Sequence, residues 1–263
     1  MMFYSCCAEW DTLNLVAASG YDGIVLRGAY LASCPETDLP KMRQALSESG
    51  LSIQSVNAFC PPEIKLVGEG FAPETLRSYT RRLASHAAAL GVQYFGIGSP
   101  NSRLLSADYD RRTAADQWEQ SIAIIAEIAG EYGITPLLEP LCTRECQWIH
   151  LLDEAMATLQ HLQLSNVGLV LDLYHACVMG ESPDALRRAL PYVKVVHIAQ
   201  NYLGQKYYLQ PELTAVFTPY TEILWKSGYE GEFSVEATIG HPEQDYLRTL
   251  QIMKQLLPDR AAT

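Results

Sequence analysis

Four short, mainly apolar stretches of the chain each end in a side chain that can bind a divalent cation. They read ITPLLE (134–139), VGLVLD (167–172), VKVVH (193–197) and EFSVE (232–236). Apolar runs of this length are typical of strands that are buried in a parallel sheet. A carboxylate at the end of a buried strand is costly unless it is paired or bound to a metal ion. The candidate metal ligands are therefore the last residues of the four stretches, Glu139, Asp172, His197 and Glu236.

Taken singly, each of these residues has an ordinary structural explanation. A strand-end carboxylate is more often solvated or a helix cap, and His197 is also compatible with a hydrogen-bonded core histidine. Four polar residues on four consecutive buried strands, however, are hard to satisfy without a shared partner. Three carboxylates and one imidazole are a hard, mostly oxygen donor set. It suits one Mn²⁺, Mg²⁺ or Co²⁺ ion, and Zn²⁺ is also compatible.

Strands and helices alternate along the whole chain. The apolar patterns predict strands over 2–8, 24–26, 51–58, 92–97, 134–138, 167–172, 193–198 and 232–236. The predicted helices are 10–18, 39–49, 73–90, 112–132, 149–162, 183–189, 220–227 and 242–257. Eight such repeats in 263 residues predict an α/β fold, a single (β/α)₈ TIM barrel over 1–263. The active site is expected where the strands end. An open doubly wound sheet is the alternative, but no G-x-G-x-x-G motif follows the first strand.

Composition narrows the class of protein further. The 19 Lys and Arg against 30 Asp and Glu give a net charge of −11, which argues against nucleic acid or an anionic membrane as a partner. Seven cysteines in a chain of this size do not indicate a disulfide framework. No signal peptide and no apolar run of membrane-spanning length is found. These features predict a cytoplasmic enzyme.

Motifs around the four candidate ligands resemble those of a known superfamily. They read Leu138-Glu139-Pro140-Leu141 followed by Arg144-Glu145, Leu171-Asp172-Leu173-Tyr174-His175, Val196-His197-Ile198-Ala199 and Val235-Glu236-Ala237. With these motifs the chain resembles the sugar isomerase/epimerase-like superfamily of xylose-isomerase-type barrels. Ketose 3-epimerases, hydroxypyruvate isomerases and inosose dehydratases belong to it. The likeness spans nearly the whole chain and is densest over 92–237.

The resemblance implies roles for individual residues. The metal ligands would be Glu139, Asp172, His197 and Glu236, and Glu139 and Glu236 would also be the acid/base pair. By the same resemblance, Glu145 and His175 would hold substrate hydroxyls and the carbonyl oxygen. The chain departs from the family pattern at four places. Cys142 replaces a usual Asn, Thr143 stands where a basic residue is common, Leu203 stands where ketose epimerases carry an Arg, and strand two has Val25-Leu26 where a Glu often ends it. These departures leave the identity of the substrate open.

The predicted function is that of a divalent-metal-dependent isomerase or epimerase of a small sugar or sugar derivative. The metal ion would stabilise an enediolate as a Lewis acid while two carboxylates move the proton. Arg103 and Lys206 are expected on loops at the mouth of the barrel, as solvated charges or as ligands of a phosphate or carboxylate; Arg103 is included among the substrate-binding candidates. The expected partner is a small-molecule sugar, with neither nucleic acid nor membrane. Barrels of this kind often pair, and the sequence leaves a homo-oligomer open.

Three other functions are compatible with parts of the pattern. A metal-dependent dehydratase of an inosose-like ketone uses the same enolate to expel a β-hydroxyl, so the metal motif does not separate it from an isomerase. A DNA-repair endonuclease on the same barrel would hold three metals and need several more histidines, which predicted strands two to four do not carry. A non-catalytic sugar-binding barrel would not need an intact set of metal ligands.

Overall fold

The computed structural model describes residues 1–258 and shows a closed barrel of eight parallel strands. In chain order the barrel strands are β1 (Phe3–Cys7), β2 (Gly23–Arg27), β3 (Ser55–Asn57), β4 (Tyr94–Ile97), β5 (Thr135–Leu138), β6 (Gly168–Asp172), β7 (Val193–Ile198) and β10 (Glu232–Val235). Two further strands form an antiparallel hairpin, β8 (Gln200–Tyr202) and β9 (Gln205–Tyr207). Pairing of β10 with both β7 and β1 closes the barrel. The predicted (β/α)₈ fold is confirmed.

Ten α-helices lie between and after the strands in the described part of the chain. They are α1 (Leu13–Ala18), α2 (Gly28–Ser33), α3 (Leu39–Ser49), α4 (Pro73–Ala89), α5 (Arg111–Glu131), α6 (Leu152–Leu162), α7 (Leu173–Met179), α8 (Pro183–Ala189), α9 (Thr218–Ser227) and α10 (Pro242–Leu256). None of these helices has both the length and the apolar character that crossing a membrane requires. Residues 259–263 lie outside the described residues, so a single domain over 1–263 stays a prediction. All seven cysteines are free thiols.

The structure differs from the sequence prediction mainly where short elements follow a strand directly. Helices α2 and α7 begin at the residue after β2 and β6 and were not predicted, and β3 is shorter than the predicted strand. The side chain of Asp172 explains the start of α7, because it accepts hydrogen bonds from the first free N–H groups of that helix. The strand-end carboxylate of Asp172 thus also caps a helix, and these hydrogen bonds fix the orientation of the carboxylate.

The barrel interior is not wholly apolar. Glu232 at the start of β10 is 1% exposed, and its Oε1 accepts a hydrogen bond from the Ser5 hydroxyl at 2.6 Å. Its Oε2 has no partner among the described residues. Burial raises the pKa of Glu232, because a charged carboxylate is poorly solvated inside the barrel. The folded protein therefore binds a proton at Glu232 more tightly than the unfolded chain does.

Glu232→Gln is expected to stabilise the protein at alkaline pH. Since the pKa of Glu232 is raised on folding, its contribution to stability is complete at low pH and is lost as the pH rises through the folded pKa. The amide stays neutral, so the variant should gain about 1–3 kcal/mol in free energy of unfolding at pH 8. Urea unfolding at pH 8 and at pH 4.5 measures this, and a gain of the same size at both values would contradict the ionisation argument.

Candidate metal centre and substrate pocket

The four predicted ligands meet at the carboxyl ends of β5, β6, β7 and β10. They are called here the ligand cluster, and one ligand atom from each lies within 4.8 Å of the other three: Glu139, Asp172, His197 and Glu236. His197 Nδ1 lies 3.0 Å from Glu139 Oε1 and 3.8 Å from Glu236 Oε2. Three of the side chains are buried and Glu236 is half-buried. The structure thus brings the whole predicted set together, while its role as a metal centre stays a prediction.

Two of the cluster carboxylates are each held by one oxygen and present the other to the centre. Asp172 Oδ1 accepts hydrogen bonds from the N–H groups of Tyr174 (2.7 Å) and His175 (3.3 Å). Glu236 Oε1 accepts one from Asn57 Nδ2 at 2.6 Å. Such contacts orient ligands before a metal ion arrives. Sequence reasoning missed Asn57, although a polar residue at the end of the apolar strand β3 is the same signal that identified the ligands.

Glu139 is fixed by close packing rather than by a cap. Its Oε2 lies against Gly98, where a Cβ would overlap it, so only glycine leaves room for the carboxylate. The backbone carbonyl of Glu139 accepts a hydrogen bond from Arg103 at 3.0 Å, and the same guanidinium bonds to the carbonyl of Gly98. Arg103 therefore ties the end of β5 to the loop after β4, which sets the position of Glu139.

The structure does not place Arg103 where it could contact a substrate, so its inclusion among the substrate-binding candidates is corrected. The side chain is 0% exposed, and its guanidinium lies 5.5 Å from the ring of Trp118. Its hydrogen bonds go to backbone carbonyls, among them that of Trp148 at 3.4 Å. Arg103 was expected in solvent or on a substrate anion. The carbonyls at the ends of β4 and β5 need donors, however, and the buried guanidinium supplies them.

Arg103→Met is expected to destabilise the protein by about 3–5 kcal/mol, because it leaves several buried carbonyls without a donor. Arg77→Met is the matched control, since Arg77 forms a solvent-exposed pair with Glu127, and such pairs contribute about 0–1 kcal/mol. Urea unfolding of both variants measures the difference. If Arg103→Met kept wild-type stability and raised only KM, Arg103 would be a substrate ligand instead.

Lys206 projects from the hairpin strand β9 into the ligand cluster. Its Nζ lies 2.6 Å from Asp172 Oδ2 and also bonds to Glu236 Oε2. The residue is buried, and its ammonium lies 5.3 Å from the ring centre of Tyr174. This lysine was expected on a loop at the mouth of the barrel. Pairing of β8 with β9 instead directs it inward, where its positive charge partly neutralises the cluster.

The charges of the cluster shift the pKa values of its two glutamates in opposite directions. Burial raises the pKa of Glu139, and the neighbouring Glu236 raises it further. Burial also acts to raise the pKa of Glu236, but Lys206 and His197 outweigh it and lower that pKa. For His197, burial is outweighed by Glu236 and Glu139, which raise its pKa to about 9. Glu139 is thus the readily protonated member of the pair and Glu236 the ionised one.

The two predicted substrate ligands lie beside the cluster. His175 Nδ1 accepts the N–H of Cys142 at 3.1 Å, so the proton of the neutral ring is on Nε2. Nε2 is buried and without a hydrogen-bond partner among the described residues, and it lies 3.5 Å from Asp172 Oδ2 and 3.9 Å from Glu145 Oε2. Burial, together with Lys206, lowers the pKa of His175 to about 3. Cys142, Glu145 and His175 form a second possible ligand group, but a protonated Nε2 is a donor and not a metal ligand.

A cavity of about 700 Å³ opens above the cluster. Glu145, Lys206 and Glu236 line it, together with Arg27 from β2 and Tyr174 from α7. Arg27 is exposed and forms an ion pair with Glu9 at 2.8 Å. The cavity is large enough for a sugar, and its floor is made by the charged groups that could act on one.

The donor set of the cluster fits a divalent cation. Oxygens of Asp172 and Glu236 face the centre because their partner oxygens are already held by the protein. Three carboxylates and one imidazole match the preferences of Mn²⁺, Mg²⁺ and Co²⁺. An ion held by these residues would take the place of the Lys206 ammonium, since the same oxygens now bind it.

Comparison with known proteins places the chain in a family. A family model described as a xylose isomerase-like TIM barrel matches residues 13–256. The chain belongs to this family. The resemblance that the strand-end motifs indicated is thereby confirmed. The match covers every barrel strand except β1, and so it includes all four residues of the ligand cluster.

The individual relatives share less than a quarter of their residues with this chain. The chain is 24% identical over 245 residues to a 2-oxo-tetronate isomerase of Cupriavidus necator, covering 89% of each chain. D-psicose 3-epimerase from Clostridium cellulolyticum H10 superposes with a TM-score of 0.84 at 15% identity, covering 98% of this chain and all of that one. The 3-keto-D-glucoside 4-epimerase from E. coli superposes with a TM-score of 0.81 at 18% identity, covering 97% and 100%. At these identities the two structural likenesses show the fold alone.

Proposed function

We propose that this protein is a divalent-metal-dependent isomerase or epimerase of a small sugar or sugar derivative. The observation that carries the proposal is the ligand cluster, in which three carboxylates and one imidazole share one centre beneath a sugar-sized cavity. The relative from Cupriavidus necator is named as an isomerase of 2-oxo-tetronate, and two structural neighbours are named as sugar epimerases. Isomerisation and epimerisation of such substrates both require transfer of a proton at a carbon next to a carbonyl group.

The two glutamates divide the proton transfer between them. Glu236, which Asn57 holds by one oxygen, accepts the proton from the substrate carbon with the other. Glu139, whose pKa burial raises, is the carboxyl that can return a proton to a substrate carbon. This pairing of one ionised and one protonated carboxyl is what acid/base exchange requires. When bound, a divalent ion supplies a Lewis acid that stabilises negative charge on the substrate oxygens.

The residues around the pair orient the substrate. The Nε2–H of His175 is a buried donor without a partner among residues 1–258, so it is available to a carbonyl or hydroxyl oxygen. Glu145 lines the cavity on the same side, and burial raises the pKa of its carboxyl. Glu145 can therefore donate to or accept from a sugar hydroxyl. Tyr174 forms part of the wall of this cavity.

Deuterium incorporation tests the proposal directly. The Mn²⁺-loaded protein is incubated in D₂O with a panel of ketoses, inososes and short sugar acids, and NMR spectra are recorded after removal of the metal. Incorporation at one carbon-bound position supports enolising chemistry, and the labelled carbon distinguishes C3 epimerisation from aldose–ketose isomerisation. Loss of water from a substrate would instead identify a dehydratase. Full exchange by chelator-stripped protein would contradict the metal-dependent mechanism.

A further inference from the structure

Lys206 bonds to two of the four candidate ligands, but it neither gives nor takes a proton in the proposed transfer. Its Nζ contacts Asp172 Oδ2 at 2.6 Å and Glu236 Oε2. These are the oxygens that face the centre of the cluster, because the other oxygen of each carboxylate is held by the protein. The ammonium thus occupies the position that a divalent ion would need.

A divalent ion and the ammonium cannot share these two oxygens. Like charges at such short separations repel strongly in a buried site, where water screens them little. Binding of a divalent ion therefore requires the Lys206 ammonium to leave Asp172 and Glu236. After it leaves, a buried ammonium needs another anionic or hydrogen-bonding partner.

The backbone of Lys206 is fixed, so the displacement is confined to its side chain. The Lys206 carbonyl accepts hydrogen bonds from the N–H groups of Thr238 (2.9 Å) and Ile239 (3.1 Å). On the other side of the hairpin, the Tyr174 hydroxyl donates to the carbonyl of Gly204 at 2.8 Å. Lys206 already lines the cavity above the cluster. Rotation of its four-carbon arm accordingly moves the ammonium from the floor of the cavity into the space where a substrate would lie.

We propose that Lys206 determines specificity: when a divalent ion occupies the ligand cluster, its ammonium turns into the cavity and binds the carboxylate of an acidic sugar. This inference rests on the proposed function and narrows its substrate class to short sugar acids. Arg27 is the other Lys or Arg that lines the cavity among residues 1–258, and it already pairs with Glu9 at 2.8 Å. Glu145 lines the same cavity, and pairing of Lys206 with Glu145 is the competing outcome.

Binding of unreactive four-carbon probes to the Mn²⁺-loaded protein tests the inference. D-erythronate carries the carboxylate and erythritol lacks it, and neither has a carbonyl that could enolise. In calorimetric titrations, Lys206→Met should weaken D-erythronate binding at least tenfold. Lys226→Met, which removes an exposed lysine on α9, should change it less than twofold, and Arg27→Met, which removes a second cation of the cavity wall, should weaken it less than Lys206→Met does. A larger effect of Arg27→Met, or equal binding of erythritol and D-erythronate by the wild type, would overturn the assignment.

Titration of the metal-free proteins with Mn²⁺ gives a readout that is independent of substrate. Lys206→Met should bind Mn²⁺ more tightly than the wild type, because the competing ammonium is gone. Weaker Mn²⁺ binding by this variant would overturn the proposed displacement. It would also show that lost D-erythronate binding came from a damaged metal site.

Turnover of an acidic and a neutral substrate shows whether the Lys206 inference fails alone or the proposed function fails with it. Deuterium incorporation is compared for 2-oxo-tetronate, an acid, and erythrulose, a neutral ketose of the same length. We expect the wild type to favour the acid and Lys206→Met to lower the ratio of kcat/KM for acid over ketose at least tenfold. Exchange into erythrulose but not into the acid would refute the specificity and leave the proposed function standing. Exchange into neither, and into no other sugar of the panel, would refute the proposed function itself.

Discussion

Glu236→Gln is expected to lower kcat by about 10²–10⁴-fold, the usual contribution of a general acid or base. Gln keeps the size of the side chain and an oxygen that can accept the Asn57 hydrogen bond or bind a metal ion. It cannot accept the proton that an ionised Glu236 would take. Measuring kcat on the best substrate of the panel, alongside deuterium exchange, gives the size of the loss.

Two measurements make this result specific to proton transfer. Mn²⁺ affinity determined by calorimetry shows whether the variant still holds the ion, so that a loss of metal is not mistaken for a loss of chemistry. Glu222→Gln is the matched control, because Glu222 is an exposed partner of Lys226 on α9 and its replacement should leave kcat within about twofold. A Glu236→Gln protein that exchanged deuterium at the wild-type rate would remove Glu236 from the acid/base pair.

Stripping the protein with a chelator is expected to lower activity by about 10³-fold or more, since Lewis-acid stabilisation supplies several kcal/mol and about 1.4 kcal/mol corresponds to tenfold in rate. Mn²⁺ should restore it, and Mg²⁺ or Co²⁺ should restore it in part. In the stripped protein the Lys206 ammonium bridges Asp172 and Glu236, so the fold should survive. Circular dichroism of the stripped protein checks that the lost activity is not lost structure.

Metal affinity should rise with pH between 7 and 9. Without a metal ion, Glu236 and Glu139 outweigh the effect of burial and raise the pKa of His197 to about 9, so its ring is charged at neutral pH and must lose a proton to become a ligand. Titrations in buffers of different ionisation enthalpy should therefore show proton release at pH 7.5 that disappears above pH 9. Binding without proton release at pH 7.5 would mean that His197 is not a ligand or is already neutral.

The strand-end residues show how much of this site can be predicted from local sequence patterns. A parallel barrel requires that all eight strands end at the same mouth, so an apolar run that closes with Glu139 or Asp172 predicts where that side chain lies without any knowledge of contacts. The same reasoning places His197 and Glu236 at the mouth of the barrel. The (β/α)₈ fold is also predictable, because the alternation of strands and helices, and the separation of successive strand ends by about one βα unit, can be read from the sequence alone.

Loop residues behave differently, as Arg103 and Lys206 show. Both were expected at the mouth of the barrel, but Arg103 is buried against the carbonyls of Gly98 and Glu139. Lys206 reaches the cluster only because β8 and β9 pair through a turn in which Leu203 has a φ of 51°. Leucine is rare at positive φ, and Leu-Gly is not the Asn-Gly signal that usually marks such a turn. Short-range patterns therefore did not indicate the hairpin.

The pattern of residues along the chain is sufficient to predict the architecture and the four residues that share one centre. The oxygen of Glu236 that faces that centre depends on the tertiary structure, since Asn57 holds the other oxygen from across the barrel mouth. The tertiary structure also decided that the Lys206 ammonium lies among the ligands. Periodicity and strand ends are local properties, whereas the direction of a side chain on a loop depends on partners far away in the chain.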